Sequence, residues 1–215
     1  MKKVFLQGLE AMNCELGDTA IEKQLRFMDE LLRWNKQINL TSVRNRDEAV
    51  EKHLLDSLSI LYLIGGGASV LDVGSGGGLP GIPLAIADSS ITVTSVDSVG
   101  KKINFQKHIK RMLSLNNFEA KHTRVEYLGT MGGNPVFFDV AVTRAFSSLE
   151  TIFDLVSPWV ISGGRIVAMK GPECAEEIRG VEPYLSKCGL TRIDVQRYQL
   201  PFSNAERHII IAHKK

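Results

Sequence analysis

The order of apolar runs, glycines and helical periodicities predicts an α/β fold. It is a mostly parallel seven-stranded sheet with helices on both faces, a terminal antiparallel hairpin and an N-terminal helical extension. Three observations carry this reading. From residue 68 onward, short apolar runs alternate with amphipathic stretches, the pattern of a parallel sheet wrapped by helices. The last two strand-like runs have only a loop between them, which implies an antiparallel pair at a sheet edge. Residues 1–64 read as helical throughout, and Gly65-Gly66-Gly67 separates them from the rest. The expected organisation is therefore an extension over 1–64 and an α/β domain over 68–215.

The elements follow in order. Met1-Lys2-Lys3 opens an amphipathic helix, and Glu10 comes too soon for the apolar region of a signal peptide. Asp18 reads as an N-cap with Glu22 in the first turn. Ile21, Leu25, Met28 and Leu32 then recur at helical spacing to about Ile38. Thr41-Ser42 breaks this helix. Asp47 begins another, with Val50, Leu54, Leu55, Leu58 and Leu61 on one side. In the second part, strands are expected at 70–73, 91–96, 118–122, 138–142, 165–169, 191–198 and 208–212. Helices are expected at 81–87, 101–115, 149–160 and 173–188, the last closed by Gly189.

With 215 residues, 44% of them apolar, the chain can bury a full core. No stretch is long and apolar enough to span a bilayer, and the chain is expected to be cytoplasmic. Cys14, Cys174 and Cys188 are scattered and odd in number, which makes no disulfide framework. The five histidines form no metal-ligand spacing, so no metal site is expected. A net charge of +2 neither demands nor excludes a nucleic acid.

The chemistry is concentrated at residues 70–81, where Val70-Leu71-Asp72-Val73 runs into Gly74-Ser75-Gly76-Gly77-Gly78-Leu79-Pro80-Gly81. A buried strand ends in an acidic residue and turns through glycines, which permit positive φ and let a ligand lie against the backbone. Two formal motifs overlap. Residues 76–81 satisfy G-x-G-x-x-G, the dinucleotide fingerprint, and residues 72–78 satisfy D-x-G-x-G-x-G, the S-adenosyl-L-methionine loop. Three details favour the second. Asp72 would repel a pyrophosphate but suits a cationic amino acid. Pro80 and Pro83 remove N–H donors that a phosphate-binding helix start would use. A dinucleotide fold also lacks the terminal hairpin, which, on a mostly parallel sheet, suits a class I methyltransferase. Asp97, at the end of the second strand, can accept from both hydroxyls of an adenosine ribose.

These residues and others further out resemble one family. Trp34-Asn35-Lys36-Gln37-Ile38-Asn39-Leu40-Thr41-Ser42 matches W-N-K-x-x-N-L-T-S, and His53-Leu54-Leu55-Asp56-Ser57 matches H-x-x-D-S. Residues 72–83 match D-x-G-S-G-x-G-x-P-G-x-P. Val96-Asp97-Ser98, Arg124-Val125-Glu126, Arg144-Ala145-Phe146, Lys170-Gly171 and Arg207-His208 follow in order. The chain thus resembles the RsmG (GidB) family of bacterial 16S rRNA guanine-N7 methyltransferases along nearly its whole length. The resemblance implies a class I, Rossmann-like fold that uses S-adenosyl-L-methionine. It implies cofactor contacts at Gly74, Leu79, Val125, Glu126 and Arg144, with Asp97 on the ribose; Asp72, Gly76, Gly78 and Ser98 complete the expected cofactor set. Arg144 and Arg124 are the expected catalytic residues. The implied partner is 16S rRNA or a small-subunit assembly intermediate, acted on by a monomer.

Guanine N7 carries an in-plane lone pair and no proton, so the reaction needs alignment rather than a base. The sequence fits: the fourth strand ends in Thr143-Arg144-Ala145 rather than an N/D-P-P-Y motif, and Cys174 lies in the wrong setting for a nucleophile. Lys36, Arg44 and Arg46 around the Thr41-Ser42 break, with Lys101 and Arg207, are the expected RNA contacts. Trp34 and Phe146 are aromatic candidates for stacking a base, although the place of Trp34 in a helix points to core packing. His53 is expected to pair with Asp56 structurally. Two alternatives remain at this stage: a methyltransferase acting on a small molecule, and a non-catalytic ribosome-assembly factor.

Overall fold

Residues 1–130 and 136–215 are described by a computed structural model. Helices α1 (Lys2–Ala11) and α2 (Asp18–Ile38) lead into α3 (Arg46–Ala49), a π-helical turn (Val50–Leu55) and α4 (Asp56–Leu58). Then come β1 (Ser69–Val73), α5 (Gly81–Ala87), β2 (Thr92–Asp97), α6 (Gly100–Leu113) and β3 (Phe118–His122). The chain continues with β4 (Phe138–Arg144), α7 (Leu149–Val156), β5 (Val160–Lys170) and α8 (Ala175–Val181), and closes with β6 (Leu190–Gln199) and β7 (Glu206–Lys214). The strands form one sheet in the order β3-β2-β1-β4-β5-β7-β6. Its first five strands are parallel, and β7 runs antiparallel to both β5 and β6. This is the expected architecture, with the hairpin at the edge. Among the described residues, no helix is long and apolar enough to cross a membrane.

Side chains alternate between two cores, as the period of a strand requires. Val70, Val142, Val167 and Ile211 face one core; Leu71, Ala141, Ile166 and Ile210 face the other. The second core lies under α7 and α8. The first is covered by α5, α6 and the N-terminal helices: Phe5, Phe27, Met28, Leu31, Leu54 and Leu55 belong to the same cluster as Ile82, Phe105 and Ile209. The extension is therefore part of the main core. Polar bonds reinforce the join. Gln24 Nε2 donates to Pro83 O at 2.8 Å, and Glu51 Oε1 accepts from Phe202 N and Ser203 N at 2.7 and 2.8 Å.

Several elements differ from expectation, each for a local reason. Gly17 is the N-cap of α2 and Asp18 its first helical residue. The buried face of α2 is Ile21, Gln24, Phe27, Met28 and Leu31, because its partners α5 and α6 lie to one side of the Leu25–Leu32 line. The next helix starts at Arg46, capped by Asn45, whose side chain accepts from Asp47 N and Glu48 N. The helix expected to reach 160 stops at Val156, where Pro158 converts the chain to a 3-10 turn. The helix expected over 173–188 is regular only across Ala175–Val181, with Pro172 and Pro183 in 3-10 turns on either side. β5 extends back through Gly163-Gly164 to Val160.

Glu51→Ala leaves two loop N–H groups without their carboxylate, at a cost of about 2 kcal/mol. Urea denaturation should show that loss; an unchanged midpoint would mean that Glu51 does not hold the β6–β7 loop.

Candidate active site

At the C-terminal end of β1 the chain turns through Gly74, Gly76 and Gly78, whose φ values of 67°, 55° and 81° suit residues without a Cβ. Neighbouring elements tie the loop down. Gly74 N and Ser75 N donate to Val96 O at 3.0 and 3.2 Å. Gly76 N donates to Asp97 Oδ2 at 2.9 Å, and the other oxygen of Asp97 accepts from Val99 N at 2.8 Å. Gln106 Nε2, from α6, donates to Ser75 Oγ and Gly76 O, both at 2.8 Å. The carboxylate of Asp97 thus fastens the glycine loop to the start of α6.

A cleft of about 380 Å³ opens beside this loop, a size suited to a small-molecule ligand. Of the expected cofactor residues, Gly74, Asp97, Ser98, Val125 and Glu126 line it. Arg124, expected as catalytic, lines it too and is exposed. Lys102, from the basic run along α6, lines it as well, and so do Thr123 and Leu155, which nothing in the sequence singled out. At the β4 side Phe146 closes over Gly74: a Cβ there would stand 2.3 Å from the ring.

Five expected cofactor residues lie elsewhere. Asp72 shares a face with Val70, so its carboxylate points under α5 rather than into the cleft. Its Oδ2 accepts from Gly81 N and Ser95 Oγ, both at 3.0 Å, while Oδ1 has no hydrogen-bond partner. A Cβ on Gly81 would stand 2.4 Å from Oδ2, so this close approach requires glycine. Full burial pushes the Asp72 pKa up to about 7. Gly76 and Gly78 shape the turn without lining the cleft, and Leu79 is buried in the first core.

Arg144 is the fifth. Its guanidinium is engaged by the N-terminal segment, with Nη1 donating to Lys52 O at 2.9 Å and to Asp56 Oδ2 at 3.1 Å. The Tyr198 hydroxyl donates to Asp56 Oδ1 at 2.5 Å, and Arg207 Nε lies 3.4 Å from the same oxygen. One carboxylate, 4% exposed, therefore joins α4, the end of β4, β6 and β7. Burial and the Asp56 charge push the Tyr198 pKa up, so its hydroxyl stays a donor. Tyr198 and Glu51 were not foreseen: their partners lie 142 and about 150 positions away in sequence.

The expected His53–Asp56 pair is not formed, because Asp56 is occupied by Arg144 and Tyr198. His53 instead sets Nε2 2.7 Å from Thr41 Oγ1 and Nδ1 3.0 Å from Lys52 O. Burial first, then the Arg144 charge, push its pKa down to about 4, so at neutral pH the ring is uncharged. With Nδ1–H donated to Lys52 O, Nε2 accepts from the Thr41 hydroxyl. Asn35 clamps the same turn, pairing Oδ1 with Thr41 N and Nδ2 with Thr41 O, both at 2.8 Å. The W-N-K-x-x-N-L-T-S and H-x-x-D-S segments are thus one bonded unit. Trp34 packs 5.5 Å from Phe105 and 5.2 Å from His108, in the core role.

Lys36, Arg44 and Arg46 line one groove beside this turn. Arg46 is bonded to Asp29, while Lys36 and Arg44 are exposed. Lys101 is exposed on α6, away from the groove, and Arg207 is turned to Asp56. Cys174 is buried, and burial pushes its thiol pKa up, which leaves it unsuited to nucleophilic work.

A family model described as rRNA small subunit methyltransferase G matches residues 20–210. A protein named ribosomal RNA small subunit methyltransferase G from Syntrophotalea carbinolica is 40% identical over 207 residues, 96% of this chain and 95% of its own. One of the same name from Geobacter metallireducens is 40% identical over 215 residues, covering 100% and 96%. Among solved structures, a SAM-dependent O-methyltransferase from Thermotoga maritima superposes with a TM-score of 0.58 at 16% identity, over 86% of this chain and 71% of that one. TrmN from Thermus thermophilus gives 0.58 at 16%, over 75% and 48%. These two show the shared fold.

Asp72 and His53 give stability opposite pH slopes. The Asp72 pKa rises on folding from 3.8 to about 7, so its contribution is full below about pH 4 and is lost as pH climbs through 7. The His53 pKa falls from 6.5 to about 4, so its contribution is full above 6.5 and is lost as pH drops through 4. Between pH 4 and 6.5 the two oppose. His53→Gln should leave unfolding free energy falling by up to about 1.4 kcal/mol per unit as pH rises, and Asp72→Asn should leave it rising as steeply. Denaturant titrations across this window test the pair; parallel curves for the two variants would refute it.

Proposed function

The chain belongs to the rRNA small subunit methyltransferase G family, and we propose that it transfers a methyl group from S-adenosylmethionine to N7 of a guanine in 16S rRNA. The observation that supports this most is the loop at the end of β1. Gly74 presents bare backbone to the cleft, and Asp97 stands at the neighbouring strand end with both oxygens ordered by backbone N–H groups. The residues suit an adenosine ligand. In this reading Asp97 receives the ribose hydroxyls, Ser98, Val125 and Glu126 form the far wall, and Gly74 admits the amino acid end.

The bound cofactor supplies an electrophilic methyl group on a sulfonium. The protein's task is to bind, align and exclude water. N7 uses an in-plane lone pair and releases no proton, so no side chain need act as a base, and the neutral, hydrogen-bonded His53 fits that absence. Transfer moves positive charge onto the base, which a free cation alongside would oppose. Arg144 is not free in this sense, because its guanidinium is paired with Asp56. We therefore assign Arg144 a positioning role, and Arg124, exposed at the cleft, a phosphate-facing one. Lys36 and Arg44 are assigned to the RNA backbone. Side chains cannot reach N7 in the deep groove of A-form RNA, so the acceptor is an unpaired or extruded base, as in a loop or an assembling small subunit.

Borohydride–aniline cleavage cuts RNA at N7-methylguanine. 16S rRNA from cells with the protein should show one cut that is missing from cells without it, and purified protein with S-adenosylmethionine should restore it. An identical cleavage pattern in both strains would overturn the proposal.

A further inference from the structure

Among the described residues, five other than glycine adopt positive φ: Asn13, Asn39, Ser114, Ala145 and Asn204. Three are asparagines, which tolerate this region, and Ser114 caps α6. Ala145, at φ 51°, has neither excuse. Alanine gains no local hydrogen bond there, so the turn is held for another purpose. Its position is telling: it stands between Arg144, fixed to Asp56, and Phe146, whose ring lies against Gly74.

Phe146 is 37% exposed while lining the cleft. The order β2-β1-β4 places it on the opposite side of β1 from Asp97. If the ribose end lies over β2, the Phe146 side is where the methyl group meets its acceptor. An aromatic face set there by a strained backbone, with no aromatic partner of its own among the described residues, is a platform for a flat ring.

We infer that Phe146 is the stacking residue for the acceptor purine, aimed by the left-handed turn at Ala145 and braced on the bare Cα of Gly74. This rests on the function proposed above and names the group that grips the extruded base. Stacking suits the task because it fixes the plane of the ring, and with it the direction of the N7 lone pair, without presenting charge to a base that becomes cationic. Any side chain at Gly74 would push the ring away, so the same glycine serves the cofactor and the platform.

The test separates aromatic character from bulk. Phe146→Leu keeps an apolar side chain of similar size, Phe146→Trp keeps the stacking face, and Phe146→Ala removes both. Small-subunit particles from a strain lacking the protein serve as substrate. Wild type run alongside reports on the proposed function itself: if it methylates no particle, that reading has failed rather than this one. With active wild type, Phe146→Leu and Phe146→Ala should lower kcat/KM for the particles by roughly five- to 150-fold, and Phe146→Trp should stay near wild type. Calorimetric S-adenosylmethionine affinity should stay within about twofold for all three, since stacking belongs to the acceptor. A Phe146→Leu enzyme as active as wild type would reduce the ring to an apolar plug. An equal loss of cofactor affinity would assign it to the cofactor. Either result overturns the inference.

Discussion

One buried carboxylate, that of Asp56, holds the N-terminal helices to the strands. Asp56 receives Arg144 from the end of β4, Tyr198 from β6 and Arg207 from the start of β7. Two guanidiniums and a phenol meet on a residue 4% exposed, so removing the carboxylate leaves the Arg144 charge without its partner. Such a network adds little net stability compared with an apolar core of the same shape. Its effect is specificity of arrangement, because the partners must meet in one geometry. Here that geometry fixes how the N-terminal helices sit on the C-terminal ends of the strands.

In the proposed function the site has two halves with different physics. The cofactor half is backbone work: glycines at positive φ, N–H groups turned to Asp97, and a loop pinned by Gln106. Its polar contacts come from the α/β domain, while Gly77 lies against Leu31 of α2 in the extension and Leu79 belongs to the same core cluster. The acceptor half is side-chain work and needs the extension, since the partners of Arg144 are Lys52 O and Asp56. The chain of bonds runs on through His53 and Thr41 to Asn35, at the turn that carries Arg44 and borders Lys36. RNA held at that groove and the base held near Phe146 would bear on the same rigid unit.

The sheet and the glycine loop were legible in the sequence because they rest on local rules. Short apolar runs alternate with helical stretches, the first run turns through glycines, and Asp97 falls at a strand end where any α/β ligand site would use it. The buried face of α2 was read one row off, because periodicity locates an apolar stripe but not the neighbours that cover it. Gln24 is buried for the sake of a single carbonyl, Pro83 O. The direction of the Asp72 carboxylate is set in a similar way: alternation along β1 turns it beneath α5, where it meets Gly81 N and Ser95 Oγ. Pairings such as Asp56–Tyr198 and Glu51–Phe202 join positions far apart in the chain and leave no local signature. The motifs around Trp34 and His53 marked these residues as important, but the bonds explaining them appear only in three dimensions.

The central claim is that Asp56 organises acceptor binding without serving the cofactor. Its most direct test is Asp56→Asn, assayed for S-adenosylmethionine affinity by calorimetry and for methyl transfer to small-subunit particles. The account predicts cofactor affinity within about twofold of wild type and transfer lowered by at least about tenfold, as loss of acceptor alignment would do. Transfer at the wild-type rate, or cofactor affinity falling as far as transfer does, would contradict it.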